Sequence, residues 1–144
     1  MGRTILVAYD GSDLSKKAVQ EAKNQGSQAP GTEVYVIAVV NPNGPYTNVI
    51  MQKEIGDELA GDFRPEVLKV KEQFEAEGIP VYGEVLVGEI NANPGKRICE
   101  YAEEKRTDLI IVGSRGLGNI KKLFLGSVSE NIVHNAKCPI LIMK

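Results

Sequence analysis

Residues 108–144 read "DLIIVGSRGLGNIKKLFLGSVSENIVHNAKCPILIMK". The opening run "DLIIVG" (108–113) is apolar without alternation, as expected of a short strand buried on both faces. "SVSENIVHNA" (127–136) has the length and spacing of a short helix, and "CPILIMK" (138–144) is a second apolar strand. Strand, helix and strand in so short a unit imply parallel strands joined by a crossover.

Toward the N-terminus the same alternation repeats. "TILVAY" (4–9), "EVYVIAVV" (33–40) and "PVYGEVLV" (80–87) are β-branched runs. Between the first two, "DGSDLSKKAVQEAKNQG" (10–26) sets Leu14, Ala18, Val19 and Ala22 at helical spacing, with Gly26 as the expected stop. "PEVLKVKEQFEAEG" (65–78) reads as a helix with Pro65 in its first turn and Gly78 at its end. Asn93 before Pro94 opens a further helix, with Ile98, Tyr101 and Ala102 on its inner face. Residues 41–62 mix turn residues with a weak helical pattern and receive no assignment. Five strands alternating with four helices predict an α/β fold, a parallel sheet covered by helices on both faces. The chain of 144 residues shows no linker or repeat, so one domain over 1–144 is expected.

Composition narrows the function. Apolar residues at 42% and charged residues at 25% suit an ordinary globular chain, and a net charge of -2 offers no basic field for nucleic acid. Tryptophan is absent and aromatics reach only 6%, too few for a base-stacking platform. No apolar run approaches the roughly 20 residues that span a bilayer. The start "MGRTILVAYDGS" lacks the features of a signal peptide, and Leu6 stands where myristoylation requires Ser or Thr. A cytoplasmic protein with no membrane partner is expected. Cys99 and Cys138, far apart and without a CxxC, read as reduced buried thiols. His134, the lone histidine, reads as a surface or packing residue, which sets aside a zinc site or a histidine-based triad.

The loop within 112–131 holds four glycines and three basic residues, with no acid before Glu130. It matches neither common phosphate fingerprint. Gly113, Gly116 and Gly118 reverse the order G-x-G-x-x-G, and Asn119 and Ile120 stand where a P-loop needs Lys and Ser/Thr. The phosphate chemistry is there all the same. Ser127 and Glu130 fit a capping box with Ser127 at the N-cap. Gly126 permits close backbone approach, and the N–H groups of a helix's first turn attract phosphate. Ser127 and Ser129 can add hydroxyl donors, and Gly113 and Gly116 allow a tight turn with converging N–H groups. Arg115, Lys121 and Lys122 supply positive charge. A well-capped helix beside a solvated basic loop is the plainer alternative.

If the strand order is 3-2-1-4-5, the topology reverses between strands 1 and 4, where ligands bind beyond the strands' carboxyl ends. Asp10, Gly11 and Ser12 then face the glycine-rich loop. Asp10 suits ribose hydroxyls or a metal beside phosphates, or else it caps the following helix. Val39 and Val40 can wall an adenine pocket or be strand core.

Gly113, two residues, Gly116, nine residues, then Gly126-Ser127 resembles the ATP-binding signature G-x2-G-x9-G-[S/T] of the universal stress protein family. The resemblance extends through "ILVAYDGS" (5–12), "DLIIVGSRG" (108–116) and "GSVSENIVHNAKCPILIMK" (126–144), while 41–62 and "GEINANPGK" (88–96) are less typical. It implies a Rossmann-like three-layer sandwich of order 3-2-1-4-5. It also implies ribose contact at Asp10, adenine contact at Val39, and phosphates embraced by Gly113, Gly116, Gly126, Ser127 and Ser129, often with Mg²⁺ or Mn²⁺. Homodimers through the last strand, 138–144, are implied as well. With the neighbouring Gly11, Ser12, Arg115 and Val128 these make up the candidate set for ATP, and ADP, AMP or cyclic AMP would present phosphate to the same donors.

The expected role is a regulatory, nucleotide-responsive dimer in a stress response. A slow ATPase or phosphotransferase is the alternative, but these loops offer no evident second carboxylate or catalytic histidine. Asp13 is the nearest candidate and reads better as a helix cap. "DGSDLS" faintly resembles the S-G-G-x-D-S loop of ATP pyrophosphatases, with two of its six positions wrong. A third reading, an interaction module with a vestigial pocket, is disfavoured by the intact signature.

Overall fold

A computed structural model describes residues 2–42, 49–90, 92–114 and 126–144. Its elements run β1 (Thr4–Ala8), α1 (Asp13–Gln28), β2 (Glu33–Val40), α2 (Val49–Glu75), β3 (Val81–Val87), α3 (Pro94–Glu104), β4 (Leu109–Gly113), α4 (Ser127–Asn135) and β5 (Ile140–Met143). The strands form one five-stranded sheet of order β3-β2-β1-β4-β5, and every neighbouring pair is parallel. The expected α/β Rossmann-like fold and strand order are what the chain adopts.

Strand pleat divides the core in two. Ile5 and Val7 of β1 point to a cluster completed by Ala18, Val19 and Ala22 of α1 and Val67, Val70 and Phe74 of α2. Leu6 and Ala8 point to the opposite cluster, with Ile98, Cys99, Tyr101 and Ala102 of α3 and Ile132 of α4. Alternate residues of one strand thus serve both helical layers, which is why these strands read as unbroken apolar runs.

Two helices differ from expectation. Gly26 does not stop α1, which continues to Gln28; a side chain there would lie 3.1 Å from Ile79, so glycine makes room for a close approach. α2 begins at Val49, and Pro65 lies inside it rather than in its first turn. The deciding feature is a buried stripe through Ala60, Val67, Val70 and Phe74, with Phe63 packed against it. This stripe passes straight through the proline at helical spacing, and packing overrides the local break. Gly78, at φ 71, turns the chain after α2 as expected. β5 is an edge strand with all four residues partly buried, shorter than the run 138–144. Among the described residues no helix is long and apolar enough to cross a membrane.

Candidate functional site

The order reverses at β1, which pairs with β2 on one side and β4 on the other. Beyond the carboxyl end of β1, Asp10 Oδ1 accepts from the Ser12 amide at 2.9 Å. Gly11, at φ 85, completes this turn. Ser12 is the N-cap of α1, its Oγ accepting from Ser15 N at 3.2 Å. Capping therefore falls to Ser12. Asp10 shapes the turn before it, and Asp13 is the first helical residue. Asp10 is half-buried, and its second carboxylate oxygen has no hydrogen-bond partner among the described residues. The rings of Tyr9 and Phe63, 6.1 Å apart, wall this turn on the α2 side. Burial raises the Tyr9 hydroxyl's pKa, and the negative charges of Glu66 and Asp10 add to it.

Opposite lies β4, ending at Gly113. The Ser114 amide donates to Met143 O at 2.8 Å, which ties the strand end to β5. Ser114 O then accepts twice, from the Gly126 amide and from Ser129 Oγ at 3.0 Å. The two flanks of the glycine-rich loop are thereby held together. Arg115, Gly116, Lys121 and Lys122 lie outside the described residues.

The start of α4 departs from the expected capping box. Gly126 is the N-cap, with no side-chain cap bond, and Ser127 is the first helical residue. The anchoring bonds come from Ser129, whose buried hydroxyl reaches back to Ser114 O and, at 3.1 Å, to Gly126 O. Glu130, which would have closed the box, stands 3.8 Å from exposed His134. The consequence is electrostatic. The Glu130 amide makes the first intrahelical bond, to Gly126 O at 2.9 Å. The amides of Ser127, Val128 and Ser129 are left without an acceptor among the described residues, as a helix N-terminus without a side-chain cap requires. Three N–H dipoles and the positive end of the helix dipole therefore add up at this terminus. Ser127 is exposed and can add its hydroxyl. Ser129 has its one hydroxyl proton engaged on carbonyls, so its amide is what it offers to a ligand. The Val128 side chain packs into the core beneath.

On the β2 side, Val39 is half-buried at the strand's end and packs against the α3–α4 cluster. Val40 O accepts from Gly88 N at 2.8 Å. Asn41 donates to the carbonyls of Glu89 and Ala92, the latter at 3.0 Å, which fixes the β3–α3 loop over the strand ends. A cavity of about 240 Å³ opens between this loop and α3, lined by Val87, Asn93, Lys96 and Arg97 among others. Its lining comes from the end of β3, the following loop and α3, and not from β1 or β4. Sequence reading missed Asn41, Ser114 and the bond from Asn93 to α4, because each acts on a backbone group distant in sequence. Among the described residues no group of three His, Cys, Asp or Glu side chains is placed to hold a metal ion.

The model of the universal stress protein family matches residues 1–144. The chain is 35% identical over 145 residues to universal stress protein MJ0531 of Methanocaldococcus jannaschii, covering 99% of this chain and 82% of that one. It is 34% identical over 150 residues to universal stress protein YxiE of Bacillus subtilis, covering 100% of both. The solved structure of protein MJ0577 matches with TM-score 0.84 at 26% identity, over 99% of this chain and 95% of that one. Other matching structures carry nucleotides. One is a universal stress protein in complex with cAMP (TM-score 0.69, 23% identity, 98% and 95% covered). A second, from Archaeoglobus fulgidus, is in complex with dAMP (TM-score 0.67, 21% identity, 99% and 98% covered). A third, from Arabidopsis thaliana, has AMP bound (TM-score 0.65, 20% identity, 99% and 91% covered). At those identities the likeness is one of fold.

Proposed function

The chain belongs to the universal stress protein family, and from that premise we propose that it binds ATP or a related adenine nucleotide at the sheet's reversal point, as a regulatory protein rather than a fast enzyme. One observation carries the reading: the amides of Ser127, Val128 and Ser129 have no acceptor among the described residues, at the start of the helix that follows β4, the strand paired with β1 whose carboxyl end leads into Asp10. Phosphates sit on the amides, ribose hydroxyls on Asp10, and adenine beside Val39 at the end of β2. Gly113 and Gly116 belong to the same signature, and Arg115 between them adds positive charge for the phosphates. The complexes of related folds with cAMP, dAMP and AMP support an adenine nucleotide as the ligand class. Mg²⁺ or Mn²⁺ would be held chiefly by the phosphate oxygens, with Asp10 as the nearest carboxylate, and would neutralise their charge. The setting is cytoplasmic, and the protein is a homodimer through apolar β5, an edge strand that calls for a partner.

Calorimetry with ATP and Mg²⁺, on the wild type and Ser127→Pro, tests the site. Proline suits the first helical position, and Gly126 before it is already extended at φ -75, ψ 169. The substitution therefore removes an amide and a hydroxyl while the helix stands. Binding by the wild type, weakened at least about tenfold in the variant, is expected for the loss of charge-assisted bonds. No binding of ATP, ADP, AMP or cyclic AMP by the wild type refutes the proposal. Steady phosphate release from the same samples moves the ATPase reading ahead, and light scattering on them reads the dimer.

A further inference from the structure

We infer that Asn93 is a positioning residue for the nucleotide's phosphates, acting through the peptide that joins Ser127 to Val128. The inference rests on the nucleotide reading above and adds to it a residue outside the glycine signature.

The Asn93 side chain does two things at once. Its Oδ1 accepts from the Gly95 amide at 2.8 Å and so caps α3. Its Nδ2 donates to Ser127 O at 3.1 Å, across to the first turn of α4. Ser127 O belongs to the same planar unit as the Val128 N–H, and in a trans peptide the two point in opposite directions. A donor on the carbonyl therefore braces the plane that carries the middle one of the three amides left without an acceptor among the described residues. Polarisation along such a chain also makes that N–H a better donor to an anion.

The spacing that permits this bond is enforced by Gly95. A side chain at Gly95 would lie 2.9 Å from both Val128 O and Asn131 Cβ, so α3 and α4 can meet this closely only over a glycine. Asn93 is itself held from the other side. Asn41 grips the preceding loop at Glu89 O and Ala92 O, and Gly88 N is bonded to Val40 O. The loop placing Asn93 is thus tied to the end of β2 beside Val39, the expected adenine contact, while its side chain reaches the phosphate end.

Asn93→Ser separates the two roles. Serine is as good an N-cap as asparagine, but its hydroxyl is too short to cap α3 and also reach Ser127 O. The experiment compares wild type and N93S by thermal unfolding, by calorimetry with ATP and Mg²⁺, and by NMR titration with adenosine, which lacks phosphate. The expected result is an unfolding midpoint within a few degrees of wild type, unchanged adenosine affinity, and ATP affinity lowered about fivefold, the equivalent of one neutral hydrogen bond. Asn93→Asp keeps the cap, loses the donor and adds a negative charge, so its ATP affinity falls further while its adenosine affinity holds. ATP affinity equal to wild type in both variants overturns the inference and leaves the nucleotide reading standing. Parallel losses for ATP and adenosine also overturn it, because they report a general loosening of the site. Failure of the wild type to bind any adenine nucleotide refutes the underlying reading, and this inference with it.

Discussion

At Gly11 the cost of a side chain is conformational. The residue sits at φ 85, and the nearest atoms to an added Cβ, on the Phe63 ring, are 3.9 Å away. Strain of the left-handed conformation is then the whole penalty, about 1 kcal/mol for Gly11→Ala. At Gly95 the cost is steric, since Val128 O at 2.9 Å is backbone and cannot rotate aside. Gly95→Ala should cost about 2 kcal/mol, as overpacking does when helices must move apart. Urea unfolding of the two variants ranks them, with unchanged m-values required for the comparison. A larger loss at Gly11 than at Gly95 would show that the α3–α4 contact gives way easily, and that the first turn of α4 is not rigidly seated.

At the scale of the element, α2 is a long helix kept whole by its buried face. Pro65 has no N–H to donate to Gly61 O, and Gly61 has nothing within 4 Å of an added Cβ. Gly61→Ala should therefore stabilise the protein by about 1 kcal/mol on helix propensity alone. Pro65→Ala should add about 1–2 kcal/mol by restoring the bond, less the greater freedom of the unfolded chain. Thermal unfolding reads both, and a lower midpoint in either would mean that the break at 61–65 is needed to seat Phe63 against Tyr9. The same helix shows where sequence reading gave out. A proline ahead of an apolar stripe looks like a helix start, and only the packing of Ala60 and Phe63 against the sheet reveals that the stripe begins earlier. β1 and β4 were legible because burial on both faces leaves an unmistakable apolar run. Of the signature glycines, Gly113 ends β4 and Gly126 is the N-cap of α4, while Gly116 lies outside the described residues. The site was misread at Ser127, where a capping-box pattern exists but Ser129 makes the anchoring bonds to Ser114 and Gly126. Long-range polar bonds such as Asn93 to Ser127 leave no periodic trace in a sequence.

For the whole molecule, both helical layers bury weak acids in their neutral form, which ties the fold's stability to alkaline pH. Burial, helped by nearby Cys138, Glu103 and Glu100, pushes the Cys99 thiol from an ordinary value of 9.0 up to about 11. Cys138 is raised too, mainly by burial. Tyr101 is held well above the ordinary tyrosine value by burial and by Glu84. Tyr35 and Tyr9 are raised for the same leading reason. Each group is uncharged when protonated, and each ionises earlier in the unfolded chain than in the folded one. Below the unfolded values both states hold these protons, and the stabilisation is fully present. Above pH about 8.5 the unfolded chain begins to release protons that the native state keeps, so unfolding becomes progressively easier until the folded values are passed. Guanidinium unfolding between about pH 7 and about pH 11 should show a flat midpoint up to about pH 8.5 and a steady fall beyond it. Cys99→Val removes one of the ionising groups while keeping an apolar side chain in the α3–α4 layer. The fall should then be shallower than in wild type between about pH 9 and about pH 10, where the cysteine acts before most of the tyrosines. A midpoint that stays level to about pH 10.5 in the wild type would mean that water reaches these groups in the native state, and that the α3–α4 layer, on which the first turn of α4 is seated, is far looser than its packing indicates.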